Sequence, residues 1–130
     1  MIRPLPGYEQ AVIPVEKFTH YVLDPIRSRG KAVAFERALG YTAKNAEKLI
    51  ENIRVNLDRF NAKEKGDIGY GQTYEVLMEL TGENGKTANV MTAWIADKEK
   101  SELRLVSAYI KTRKETNDAI YLSNYTTEKR

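Results

Sequence analysis

The chain has 130 residues, 42% of them hydrophobic and 30% charged, with a formal net charge of +3 and a pI near 9.0. This length and balance suit one globular domain with a real core and exclude global disorder. No apolar run approaches the ~18–20 residues of a membrane span, residues 1–7 lack the apolar stretch of a signal peptide, and the absence of cysteine excludes a disulfide framework, a thiolate nucleophile and a zinc–cysteine site.

Residues 1–13 read as an extended arm, because Pro4 and Pro6 disfavour helix. A first helix is expected from Pro14, a residue tolerated in a first turn, to residues 24–25, with Val15, Phe18 and Val22 as its buried stripe. Residues 27–30 read as a loop. A second helix is expected over residues 31–39, with Phe35 and Leu39 one turn apart and Gly40 as terminator. The third helix has the clearest pattern. Thr42 is a good N-cap, and Ala46, Leu49, Ile50, Ile53, Leu57 and Phe60 recur at helical spacing. Lys44, Glu47, Lys48, Glu51 and Arg54 take its wet side, and it stops before Lys63.

Residues 70–110 then read as a three-strand antiparallel meander: 70–80, 87–96 and 103–110. In the first strand Tyr70, Tyr74, Val76, Met78 and Leu80 share one face. Asn84 and Gly85 supply the hairpin turn. A two-residue turn would pair Met78 with Met91. A three-residue loop with Gly85 as a bulge pairs Met78 with Val90 and Val76 with Thr92, and this second register suits Glu83-Asn-Gly85 better. Residues 97–102 form a charged loop. Helices first and sheet second predict an α+β fold, with N-terminal helices packed on a three- to four-stranded antiparallel sheet. The whole chain is read as one domain: arm 1–13, helical part 14–62, meander 68–110 and polar tail 111–130, in which residues 119–122 are a candidate fourth strand.

Charge is balanced over residues 1–97, so the whole excess lies in residues 98–130. A smaller basic knot sits at Arg27, Arg29 and Lys31. Such segments suit a polyanion such as RNA, or simply a solvated basic surface. Metal-free RNA cleavage needs a base, a cation for the phosphate and an acid. His20, the one histidine, falls on a polar ridge with Lys17, Tyr21 and Asp24, either as an acid–base group or as an ordinary surface histidine. Lys31 starts the second helix, where free backbone N–H groups suit a phosphate. Thr92 with Trp94, and Ser107 with Tyr109, share faces of their strands. They either line a site, with Trp94 or Tyr109 stacking a base, or form a core with hydroxyls bonded to backbone. Arg104, Lys111, Arg113 and Lys114 would position phosphates. Phosphate-loop, dinucleotide-binding and Gly-x-Ser-x-Gly patterns are absent, and one histidine makes a dedicated transition-metal site a poor fit.

Nine short motifs occur in order over about residues 5–110: Leu5-Pro6, Ala11-Val-Ile-Pro14, Lys17, Gly30-Lys-Ala32 with Phe35, Leu39-Gly-Tyr41, Tyr70-Gly71 with Tyr74, Gly82-Glu-Asn-Gly85, Thr92-Ala-Trp-Ile95 and Leu105-Val-Ser-Ala-Tyr109. Their order resembles a family of small bacterial domains of unknown function from polymorphic-toxin and prophage contexts. The layout of helices before an antiparallel sheet also looks like the barnase/EndoU/colicin/RelE-like (BECR) group of toxin nucleases. Two positions depart from the family pattern: a loop histidine before Gly-Lys-Ala is replaced within Pro25-Ile-Arg-Ser-Arg-Gly30, and the usual Thr of the last strand is Ser107.

The resemblance implies a metal-independent ribonuclease toxin without a cofactor. It would act in the cytoplasm, where it is made or delivered from another cell, and be neutralised by an immunity protein or antitoxin. His20 or Lys31 would be base or acid, Arg104 and Lys31 would steady the phosphate, and Thr92, Ser107 and Tyr109 would shape the pocket. Lys17, Arg27, Arg29, Trp94, Lys111 and Arg113 would contact RNA, with tRNA the first substrate by analogy. The alternatives are a non-catalytic binding module or antitoxin of the same fold, and an RNA-binding regulator.

Overall fold

The computed structural model describes residues 1–111. Four antiparallel strands form one sheet in chain order: β1 (Ala62–Asp67), β2 (Gly71–Thr81), β3 (Thr87–Asp97) and β4 (Glu102–Ile110). Two α-helices, α1 (Arg29–Leu39) and α2 (Ala46–Asn56), cover one face. The fold is therefore α+β with a four-stranded antiparallel sheet, as expected, but both α-helices sit mid-chain behind a long arm rather than at the N-terminus. Among the described residues no helix is long and apolar enough to cross a membrane.

The expected first helix is present but shorter, over residues 16–22, and its Phe18–Val22 part is a π-type turn. Leu23 N–H reaches back five residues to Phe18 O (2.8 Å). The wider turn brings Leu23 inward beside Phe18 and Val22, and all three are buried. The arm is not simply extended either. It holds a 3₁₀ turn at Tyr8–Gln10 and buries Leu5, Ala11 and Ile13. It touches both edges of the sheet: Ala62 N–H donates to Arg3 O (2.9 Å), while Val12 exchanges backbone bonds with Leu103 and Leu105 (2.8 and 2.9 Å).

Helix α1 starts two residues before Lys31, and Gly40 ends it in the left-handed region (φ 80°) with its N–H on Glu36 O (2.9 Å). Thr42 caps a 3₁₀ turn, Ala43–Asn45, that leads into α2. Lys44 N–H donates to Thr42 Oγ1 (3.2 Å), and Thr42 N–H donates to Asn45 Oδ1 (2.7 Å). Helix α2 ends at Asn56 and a 3₁₀ turn, Leu57–Arg59, follows. Leu57 is fully buried and Phe60 half-buried, so both expected apolar positions still face the core.

β2, β3 and β4 agree with the expected strands to within one residue. The hairpin has the bulged register: Met78 pairs with Val90, Val76 with Thr92 and Tyr74 with Trp94. Gly85 N–H bonds to Gly82 O (3.1 Å), and Gly85 has φ 80°. The fourth strand of the sheet is β1, in a polar stretch, Ala62–Asp67, that carries no apolar alternation. It is an edge strand, with a Lys65–Glu75 ion pair to β2 (3.7 Å) and a bulge between Glu64 and Gly66. The candidate strand at residues 119–122 lies outside the described residues.

The hairpin tip folds back onto the end of α1. Asn84 N–H approaches Leu39 O (3.3 Å), and a β-carbon on Gly82 would run into that same carbonyl and the Leu39 side chain. Only glycine fits there. We expect Gly82→Ala to cost at least about 1–3 kcal/mol, the usual range for overpacking. A lowered urea midpoint in chemical denaturation checks this, and an unchanged midpoint contradicts it.

Candidate functional site

A bulge in β4 decides which side chains reach the ligand-accessible side. Ala93 pairs with Ser107 but Trp94 pairs with Leu105, so Val106 is an extra residue. Leu105 and Ala108 are both fully buried although three positions apart, which strict alternation forbids. The insertion therefore turns Ser107 and Tyr109 to the face opposite Thr92, whose partner is Ala108.

Lys31, in the first turn of α1, comes over this edge strand. Its Nζ donates to Ser107 Oγ at 3.1 Å, across 76 positions of sequence, and stands 6.0 Å from the centroid of the Tyr109 ring. A cleft of about 280 Å³ opens beside the pair. Lys17 and Tyr21 line it from the π-turn segment, Ser28 and Lys31 from the start of α1, and Val106 and Ser107 from the bulge. Lys31 is exposed. An exposed bond of this kind contributes on the order of 1 kcal/mol, whereas each buried large side chain contributes roughly 1.5–3 kcal/mol. Packing of Phe35 and Leu39 places α1, and Lys31 is left available to a ligand.

Other expected site residues lie elsewhere. Thr92 and Trp94 are core residues, each 0% exposed. Thr92 Oγ1 donates to Val76 O (2.8 Å) and accepts from Trp94 Nε1 (2.8 Å), so each polar atom satisfies the other and Trp94 cannot stack a base. His20 is exposed and is not part of the cleft lining, because the π-type turn breaks the expected 3.6-residue ridge and keeps only Lys17 and Tyr21 on the cleft. Arg27 stands over the Tyr21 ring (5.6 Å to the centroid), and Arg29 is the exposed first residue of α1. Lys111 N–H continues the ladder to Asn89 O (2.8 Å). Arg113 and Lys114 lie outside the described residues.

Arg104 belongs to a second locality. Its guanidinium donates to Asp97 Oδ2 (2.6 Å), with Glu102 at 4.0 Å. Asp97 is 7% exposed, and its other oxygen accepts from Glu99 N–H (2.9 Å) and Lys100 N–H (3.1 Å). This knot closes the β3–β4 turn and borders an open trough of about 620 Å³ shared with Gln10 and Leu103. Arg104 is thus a turn-holding residue, not a partner of Lys31. Among the described residues no three His, Asp or Glu side chains cluster so as to hold a metal ion.

The sequence reading missed Tyr21, Ser28 and Val106 as lining residues. Tyr21 was visible as a member of the Lys17 ridge, but nothing in the sequence marks the bulge that exposes Val106.

The fold and site define an α+β domain in which a helix start, a π-type turn and a bulged edge strand enclose a basic, hydroxyl-bearing cleft. A family model described as Domain of unknown function (DUF6883) matches residues 4–112, and the chain belongs to that family. No curated protein and no solved structure matches the chain.

The Arg104 hydrogen bond, followed by those from the Lys100 and Glu99 amides, holds the Asp97 carboxyl below the ordinary range. The Lys98 bond, followed by the Gly69 amide, does the same for Asp67. Groups depressed in the folded state stabilise it above their unfolded value, about 3.9, and that contribution is lost as pH falls through the folded values. We expect the melting temperature to fall below about pH 4, and Asp97→Asn to start lower and show a shallower acid dependence. Identical acid slopes for the two proteins contradict the assignment.

Proposed function

We propose that this chain is a metal-independent ribonuclease toxin domain whose working centre is the Lys31–Ser107–Tyr109 cluster. The observation that carries the reading is the 3.1 Å approach of Lys31 Nζ to Ser107 Oγ on the wall of a cleft that holds a second cation, Lys17. The order of mid-chain helices before an antiparallel meander supports kinship with the BECR group, and the toxin and prophage resemblance points the same way.

In this reading the bridging phosphate of an RNA strand lies against Lys31 and Lys17. The 2′-hydroxyl attacks the adjacent phosphorus and its proton passes to solvent. The bond to the 5′-oxygen breaks, that oxygen takes a proton, and a cyclic phosphate and a 5′-hydroxyl result. Lys31 stabilises the charge that builds on the phosphate oxygens, and Ser107 donates a hydrogen bond to the same group. Tyr109, with its ring centroid 6.0 Å from Lys31 Nζ, is the candidate proton donor to that oxygen. The partner is an immunity protein or antitoxin that covers the cleft.

A second reading, RNA binding without cleavage, is favoured by one feature. Among the described residues, the cleft lining offers neither an imidazole nor a carboxylate.

The experiment is incubation of pure protein with total RNA in EDTA, followed by gel electrophoresis. Wild type is expected to produce discrete fragments, and Lys31→Ala to slow their appearance about 100-fold, as for loss of one transition-state donor. Intact RNA with wild type removes the enzyme and leaves the binding reading. Equal cleavage by both proteins removes Lys31 from the site.

A further inference from the structure

Tyr21 remains 49% exposed, although its chain neighbours Val22 and Leu23 are buried in the core. Tyr21 lines the Lys31 cleft, and the Arg27 guanidinium stands 5.6 Å above its ring centroid, within cation–π range. A planar base inserted between the two would need two contacts of roughly 3.5 Å, about 7 Å in all. Arg27 therefore occupies one face of the ring, and a ligand must take the other. Lys17 and Lys31 line the same cleft and offer cations for phosphates flanking such a ligand.

We propose that Tyr21, braced by Arg27, is a nucleobase-stacking subsite beside the phosphate position at Lys31. The inference rests on the cleft being an RNA site and deepens it by naming the substrate class. A base can lie on Tyr21 only when it is splayed from its neighbours, so the substrate is single-stranded or loop RNA rather than duplex. An aromatic face accepts every base, so stacking at Tyr21 favours an unpaired nucleotide without selecting its sequence.

The test uses fluorescence anisotropy with a labelled 2′-O-methyl oligonucleotide, which lacks the free 2′-hydroxyl needed for cleavage, so binding is read apart from chemistry. Tyr21→Ala is expected to weaken binding about 5- to 100-fold, while Tyr21→Phe stays within about twofold because it keeps the ring. A strand without bases is expected to bind wild type and Tyr21→Ala equally. A thermal melt of each variant confirms that the fold persists.

Equal affinity of wild type and Tyr21→Ala for the base-bearing strand overturns the inference. So does a loss with Tyr21→Phe as large as with Tyr21→Ala, since that assigns the effect to the hydroxyl. No binding by wild type at physiological salt overturns it as well. RNA fragments in EDTA report on the nuclease reading separately. Tyr21-dependent binding with intact RNA leaves the subsite standing and removes only the nuclease, and cleavage with Tyr21-independent binding does the reverse.

Discussion

The close approach of the β2–β3 hairpin tip to the last turn of α1 is the constraint on which the cleft depends. Gly82 has no side chain, so the hairpin backbone reaches the Leu39 carbonyl, and Asn84 N–H bonds to it. Gly40 turns the chain away at the same point. With its C-terminal end fixed against the sheet and Phe35 and Leu39 buried beneath it, α1 has one direction in which to run. Its first turn then arrives over β4, and Lys31 meets Ser107. The contact between two residues far apart in sequence is a consequence of backbone packing at the other end of the helix.

The second ingredient is the irregular edge strand. Without the extra residue at Val106, the alternation that buries Leu105 would turn Ser107 and Tyr109 toward the core. With it, Ala108 and Ile110 face inward, the polar pair falls on the opposite face, and Ser107 lines the cleft. The same sheet carries a second hydroxyl–aromatic pair, Thr92 and Trp94, of like composition and opposite use. There the hydroxyl bridges a backbone carbonyl and the indole N–H inside the core. Composition alone does not separate the two pairs; the strand face on which each falls does.

This explains which parts were legible in the sequence. The hairpin register was legible because a glycine with positive φ after Glu83-Asn84 is a local requirement. The extent of β2, β3 and β4, the stop at Gly40 and the buried stripe of α2 were legible for the same reason, since each rests on neighbours in the chain. Lys31 and Ser107 were both named from the sequence, but their meeting depends on a bulge and a helix direction that no local pattern encodes. β1 was missed because an edge strand that faces water needs no apolar alternation; its pairing with β2 is what makes it a strand. The π-type turn was missed because Val15, Phe18 and Val22 fit an ordinary helix equally well. One widened turn was enough to take His20 off the Lys17 ridge and leave Tyr21 on the cleft. Arg104 suits a phosphate by its charge alone, but its partner, Asp97, lies within reach across the turn.

The central claim is that the α1–β4 cleft, and not the trough at the β3–β4 turn, receives a phosphodiester strand. Amide chemical-shift mapping with a non-cleavable RNA oligonucleotide tests it most directly. The account predicts saturable shifts concentrated at Lys17, Tyr21, Ser28, Lys31, Val106 and Ser107, with Gln10, Lys98 and Lys100 unmoved. Shifts centred on the trough, or spread thinly over every lysine and abolished by modest salt, would contradict it.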